Sequence, residues 1–138
     1  SNGEQCLAQA DRLEVDEIQH GVGFAESEIA IQWLRDNQVK LNMCISSNVC
    51  LGVVSSVELH PLPRLFRSGI VCTIATDDVC VFGKGLSDEY LLAYDHGLLS
   101  ATELNCIRVF SLERNDALKV SVTEHHPRLF KSLARALL

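Results

Sequence analysis

Two adjacent carboxylates directly follow an apolar, β-branched segment of this 138-residue chain. Residues 70–76 read Ile-Val-Cys-Thr-Ile-Ala-Thr, and Asp77 and Asp78 come next. Such a run is typical of a buried parallel strand. Because α/β proteins place their chemistry at the carboxyl ends of such strands, Asp77 and Asp78 are candidate active-site residues. Aspartate is also common at helix N-caps and in turns, and that alternative stays open.

Polar residues end two further strand-like segments. Residues 39–45 precede Ser46-Ser47-Asn48, and the shorter segment at residues 16–19 precedes His20-Gly21. One helical pattern separates each strand from the next, which predicts an α/β fold with a parallel sheet and right-handed crossovers. All three polar ends should then meet at one edge of the sheet. Taken alone, the serines and asparagine could form a turn, and His20 could be structural or solvated.

Helical patterns account for most of the remaining chain, which we interpret as one domain over residues 1–138. Apolar positions between Glu26 and Asn37 fit a helix that packs on a sheet. A second helix is predicted from Ser87, and the capping box Ser100-Ala101-Thr102-Glu103 should start a third that runs to Leu112. Pro127 can open a last helix through Leu138.

Six motifs, in order, resemble those of the adenosine deaminases and their adenosine/AMP deaminase-like relatives in the amidohydrolase superfamily. The resemblance extends over roughly residues 3–115. The motifs are His20-Gly21, Cys44-Ile45-Ser46-Ser47-Asn48, Leu51-Gly52-Val53-Val54 with His60-Pro61, Thr76-Asp77-Asp78, Phe82-Gly83 and Glu89-Tyr90-Leu91-Leu92-Ala93.

The resemblance implies a fold and a reaction. The family is built on a (β/α)8 TIM-type barrel of about 250 residues or more, so this chain would supply the C-terminal half, about four strand-helix units. The complete enzyme would be a zinc-dependent hydrolase that deaminates adenosine or another aminopurine at C6 of the purine. The alternative is a non-catalytic half-barrel interaction module. Half a barrel exposes unpaired strand edges, so we expect a second copy or the missing N-terminal half as partner.

The resemblance also implies roles for five residues. Asp77 is similar to a zinc-ligating carboxylate, His20 to the histidine that helps to deprotonate the zinc-bound water, and Glu4 to the proton donor to the ring nitrogen. Gly3 and Asp78 are similar to substrate-binding residues, Asp78 at the purine edge.

The implied zinc site is incomplete in this chain. Ser1 stands where the family has a zinc-ligating histidine, and the sequence has no His-x-His pair. Since a catalytic zinc site needs about three protein ligands, the chain alone is expected to hold little or no zinc.

Composition excludes some other classes of function. A net charge of −6 without a basic stripe argues against nucleic-acid binding. The sequence has no apolar run of about 18 residues and no visible secretory signal, so we expect a soluble, cytoplasmic protein without a membrane partner. The six cysteines form no Cys-x-x-Cys pair and are predicted to be buried thiols in a reducing compartment.

Overall fold

Three short parallel strands form the sheet of the computed structural model, which describes residues 2–13 and 15–112. The strands are β1 (Glu17–Gln19), β2 (Lys40–Met43) and β3 (Cys72–Ile74). Their spatial order is β1-β2-β3, and Leu41 of β2 pairs with Ile18 on one side and Cys72 on the other. The predicted parallel sheet is therefore confirmed.

Helices occupy most of the other described residues. They are α1 (Asn2–Leu13), α2 (Glu28–Asp36), α3 (Ile45–Cys50), α4 (Leu62–Arg67), α5 (Val79–Phe82), α6 (Leu86–Asp95) and α7 (Ala101–Leu112), with 3-10 turns at Val22–Glu26 and Val57–Leu59. Helix α6 begins one residue before the predicted Ser87. The helix expected from Glu26 begins at Glu28 instead, because the Ser27 side chain accepts a hydrogen bond from the Ala30 N–H and caps α2. The helix predicted from Pro127 lies outside the described residues.

The core surrounds the central strand. Leu41 and Met43 of β2 are fully buried, as parallel strands covered on both faces require. Helices α4, α6 and α7 contact β3. Leu65 of α4 and Ile107 of α7 belong to the same apolar cluster as the strand residues. The strands that end in the polar residues are therefore fixed by one apolar core that they share with these helices.

The predicted capping box of α7 is confirmed and is tied to α4. The Ser100 N–H donates to the Glu103 carboxylate at 2.8 Å, and the Glu103 N–H donates back to Ser100 Oγ. The Arg67 guanidinium donates to the same carboxylate at 2.9 and 3.2 Å. Burial raises the pKa of Glu103, but the bonds from Arg67 and Ser100 outweigh it, so the net pKa is lowered.

All six cysteines are free thiols, but their predicted burial holds for only some of them. Cys44 and Cys72 are buried, whereas Cys50 and Cys80 are exposed on short helices. The prediction is wrong for these two because their helices turn these positions toward solvent. Of the described helices, none is both long and apolar enough to cross a bilayer.

Candidate functional site

The three polar strand ends meet at one edge of the sheet, as the sequence predicts. His20 follows β1, Ser47 and Asn48 lie in α3 just after β2, and Asp77 follows β3. His20 Nδ1 is 2.9 Å from Asn48 Oδ1, and His20 Nε2 is 3.8 Å from Asp77 Oδ2. The Ser47 hydroxyl donates to Asp77 Oδ2 at 2.6 Å. Side chains from all three strand ends therefore form one polar cluster of two hydrogen-bonded pairs, His20 with Asn48 and Ser47 with Asp77, which approach each other at His20 and Asp77.

An unusual backbone conformation positions His20 in this cluster. Its φ is 63°, in the left-handed region, and the φ of Gly21 is 67°. Histidine is among the side chains that tolerate this region better than most. The His20 N–H donates to the Asn42 carbonyl at 2.8 Å, one residue beyond the end of β1. The sheet ladder thus holds the backbone of His20 while the left-handed pair turns the chain away from the strand.

Asp77 is held as an ionised carboxylate. The hydrogen bond from Ser47 lowers its pKa most; burial opposes this, and the Asp78 N–H and the nearby His20 lower the pKa further. About a third of the side chain, 36%, is exposed. The carboxylate therefore keeps its charge and remains accessible from one side, which are two requirements for a metal ligand or a ligand-binding anion.

Asp78 has a different environment. Its Oδ1 accepts hydrogen bonds from the Cys80 N–H at 2.9 Å and the Val81 N–H at 3.1 Å, so Asp78 is the N-cap of α5. The alternative that this pair of acids includes a helix cap is therefore correct for Asp78. Asp78 is nevertheless exposed at the same edge of the sheet as Asp77.

A buried carboxylate from a distant helix anchors α3. Cys44, at the N-cap of α3, makes no side-chain cap, and Glu89 of α6 takes its place. Glu89 is 1% exposed and accepts hydrogen bonds from the Ser46 N–H at 3.1 Å and from the Ser46 hydroxyl. Burial, with help from Asp77 and Glu89, raises the pKa of Cys44 to about 11, so this thiol stays protonated and is a poor nucleophile or metal ligand.

Asn48 connects His20 to a second, deeper histidine. The Asn48 side chain is buried, and its Nδ2 is 2.9 Å from His60 Nε2. His60 Nδ1 accepts a hydrogen bond from the Leu62 N–H at 3.2 Å. Burial lowers the pKa of His60 to about 4, so this imidazole is neutral at physiological pH. In the sequence, His60 is marked only by the motif that it forms with Pro61, the N-cap residue of α4.

A cavity of about 420 Å³ opens beside His20. His20, Gly21 and Asn48 contribute polar atoms and backbone, and the rest of the lining is mainly apolar, including Leu13 and Phe24. Pockets of this size with a few polar groups are typical of small-molecule sites.

Gly3 and Glu4 do not occupy a strand end. Both lie in the first turn of helix α1 (Asn2–Leu13). A Cβ on Gly3 would lie 2.8 Å from Ser27 Cβ and 3.0 Å from the Gly23 carbonyl oxygen, so glycine allows α1 to pack closely here. Glu4 is exposed at a helix start, a position that favours an acidic residue. Neither residue lines the cavity.

A zinc ion with three protein ligands does not fit the described residues by themselves. Within residues 2–13 and 15–112, no group of three or more His, Cys, Asp or Glu side chains is arranged to hold a metal ion. Asp77 has the chemistry of a single ligand. The implied ligand position at Ser1 lies outside the described residues.

Comparison with known proteins identifies the family of this chain. The profile of the family described as "Adenosine deaminase" matches residues 2–125. A putative adenosine/adenine deaminase of Streptomyces coelicolor is 40% identical over 99 residues, which cover 72% of this chain and 28% of that protein. An adenosine deaminase of Yersinia pseudotuberculosis is 33% identical over 112 residues, which cover 80% of this chain and 34% of that protein.

A solved structure agrees with these matches. The crystal structure of adenine deaminase from Arthrobacter aurescens superposes with a TM-score of 0.74 at 27% identity, covering 88% of this chain and 39% of that one. The chain thus spans about a third of the length of the relatives it matches. Because the family profile covers most of its residues, the chain belongs to the adenosine deaminase family.

Proposed function

We propose that this chain forms part of the active site of a zinc-dependent deaminase that acts on adenosine or another aminopurine. One observation carries the proposal: His20, Ser47, Asn48 and Asp77 converge from three strand ends, and two of them, His20 and Asn48, line a cavity of ligand size. Such convergence at the carboxyl ends of parallel strands is the usual location of active sites in α/β folds. Family membership supports the same reaction class.

Asp77 and His20 carry the proposed chemistry. Asp77 would serve as one zinc ligand, because its carboxylate is ionised and accessible, and the other ligands would come from outside the described residues. Zinc, when bound, supplies a water whose pKa is lowered toward 7. His20 directs Nε2 toward the Asp77 carboxylate, so this ring nitrogen is the atom proposed to hold or move a proton during attack on the purine.

The cavity beside His20 is the proposed position of the aminopurine. Its apolar lining suits a flat heterocycle, and His20 stands at its border. Asp78 does not line this cavity, and its proposed contact with the purine edge rests on its similarity to the family's substrate-binding residue; its carboxylate also caps α5. Glu4 and Gly3 are left out of this proposal, because their positions in α1 give no support to the roles that the resemblance implied.

We infer further that the three-stranded sheet is part of a (β/α)8 barrel. The likeness to adenine deaminase over 39% of its length supports this architecture. On this proposal, the remaining strands and zinc ligands come from an N-terminal half or from a second copy of the chain.

The test is a measurement of zinc content and of ammonia release from adenosine, adenine and AMP, made on the full-length protein. We expect bound zinc and ammonia release from at least one substrate, with both lost in Asp77→Asn and both kept in Asp95→Asn, an exposed carboxylate at the end of α6. A folded protein with neither zinc nor turnover would overturn the proposal in favour of the non-catalytic module. Retention of zinc and full activity by Asp77→Asn would also overturn the assigned role of Asp77.

A further inference from the structure

A chain of four buried or half-buried groups leads from the backbone of α4 to Asp77. Its members, in order, are the Leu62 N–H, His60, the Asn48 amide and His20. Each successive contact is between 2.9 and 3.2 Å, and His20 Nε2 then faces Asp77 Oδ2 at 3.8 Å. Because every neutral imidazole has one donor and one acceptor nitrogen, the direction of one hydrogen bond determines the directions of the others.

The direction of this chain is set at its buried end. A backbone N–H can only donate, so His60 Nδ1 must accept from Leu62. His60 is 3% exposed and neutral, so its single ring proton must be on Nε2, which therefore donates. The group that faces His60 Nε2 must then be an acceptor.

The Asn48 amide has one acceptor end and one donor end. In the structure Nδ2 faces His60 and Oδ1 faces His20, which sets two donors against each other at His60 Nε2. A half-turn of the amide about its last side-chain bond exchanges oxygen and nitrogen with almost no change of shape. The oxygen then accepts from His60, and the nitrogen donates to His20 Nδ1.

The half-turn matches a donor with an acceptor at each of the three contacts between Leu62 and His20. With His20 Nδ1 as acceptor, the proton of a neutral His20 is on Nε2, where it points toward the Asp77 carboxylate. A lone pair on Nε2 would instead face a negative oxygen. Leaving a buried donor without an acceptor is unfavourable, which favours the arrangement in which each donor faces an acceptor.

We propose that Asn48 and His60 are positioning residues that hold the neutral form of His20 as the tautomer with its proton on Nε2. His20 would then enter the reaction as a hydrogen-bond donor at that atom rather than as a ready base. The catalytic meaning of this tautomer rests on the proposed function, whereas the tautomer itself is a property of the folded chain.

The test is long-range proton–nitrogen correlation NMR of the histidine rings in the full chain, at a pH of about 8, above the usual histidine pKa of about 6.5. Protonated and unprotonated ring nitrogens have well separated chemical shifts, so the spectrum identifies the tautomer directly. We expect His20 to carry its proton on Nε2. A wild-type spectrum with the proton on Nδ1 would overturn the proposal without any variant.

Three variants extend the test. Asn48→Asp offers His20 only an acceptor and should move its proton to Nδ1. Asn48→Ala and His60→Phe remove the constraint at Nδ1 and leave only the Asp77 carboxylate near Nε2, so the fraction of His20 with its proton on Nδ1 should rise above that of the wild type. Asn42→Ala is the matched control, since Asn42 is also a buried amide but its side chain bonds Glu17 and Thr73. An unchanged His20 tautomer in a folded Asn48→Asp or Asn48→Ala would overturn the proposal.

The spectroscopic and kinetic results separate this inference from the proposed function. The tautomer is measured without zinc or substrate, so it can be confirmed even if the protein shows no turnover. If the protein is active, loss of the Asn48 side chain should lower kcat about 10- to 100-fold, the usual effect of removing a group that orients an active-site side chain.

Discussion

The contact between Glu89 and Ser46 should contribute several kcal/mol to folding, and Glu89→Ala tests it. Glu89 is 1% exposed, and both donors of Ser46 bond to its carboxylate. Truncation leaves two buried donors without an acceptor, at about 1–3 kcal/mol each. It also removes the cost of keeping a carboxylate out of water, which offsets part of that loss. We expect a net loss of about 3 kcal/mol in the free energy of unfolding.

Related variants divide this effect into its parts. Ser46→Ala removes the hydroxyl but keeps the Ser46 N–H bond, so we expect a loss of about 1 kcal/mol. Glu89→Gln keeps one acceptor and places an amide N–H against the second donor, and its loss should lie between the other two. Asp95→Ala, on the exposed end of the same helix, is the control and should stay within about 0.5 kcal/mol of the wild type.

The assay is urea-induced unfolding followed by circular dichroism, extended to a double-mutant cycle. Because Glu89 and Ser46 share one contact, the double variant should lose less stability than the sum of the single variants, with a coupling of about 1 kcal/mol. A loss below about 1 kcal/mol for Glu89→Ala, or strict additivity in the cycle, would refute the idea that this carboxylate caps α3.

Three further predictions concern the core, the turn at the site and the pH dependence. Leu41→Ala, in the fully buried centre of β2, should lower the free energy of unfolding by about 2–5 kcal/mol. Its control, Leu59→Ala at a 69% exposed position, should lower it by less than about 0.5 kcal/mol. Equal losses of stability in urea unfolding would contradict the assigned core. Gly21→Ala should lower the melting temperature more than Gly97→Ala does. Both glycines have a φ of 67°, but only at Gly21 would the new Cβ lie 2.8 Å from a Leu41 methyl. A melting temperature of Gly21→Ala as high as that of Gly97→Ala would contradict this. Because the pKa of Glu103 is lowered in the folded state, its ionised carboxylate stabilises the fold at pH values above its ordinary pKa of 4.5, and this contribution is lost as the pH falls through the folded-state pKa. Glu103→Gln should therefore flatten the acid side of a plot of stability against pH. An unchanged plot would argue against the contact with Arg67.

Local sequence was sufficient for features that depend on neighbouring residues. The apolar run before Asp77 predicts β3, because burial on both faces demands continuous hydrophobicity. Ser100 and Glu103 predict the start of α7, because a capping box closes within four residues. The alternation of strands and helices predicted the parallel sheet, and with it the meeting of His20, Ser47 and Asp77 at one edge.

Motif order allowed family membership to be predicted but did not determine the conformation of Gly3 and Glu4. Both residues belong to α1, which packs closely against Ser27 and Gly23 at Gly3. No periodicity in a segment this short distinguishes the end of a strand from the first turn of a helix.

Sequence by itself therefore determined the order of the elements, the polar strand ends and the family, because each of these depends on residues that lie close together in the sequence. Only the tertiary structure decided that residues 45–50 form a helix rather than a turn, since its capping carboxylate comes from Glu89, 43 residues from Ser46. The same holds for the connection of His20 to Asn48, 28 residues away, and of Asn48 to His60, 12 residues away. The physical reason is that a hydrogen bond between buried side chains depends on how distant segments pack, and that packing leaves no local pattern along the chain.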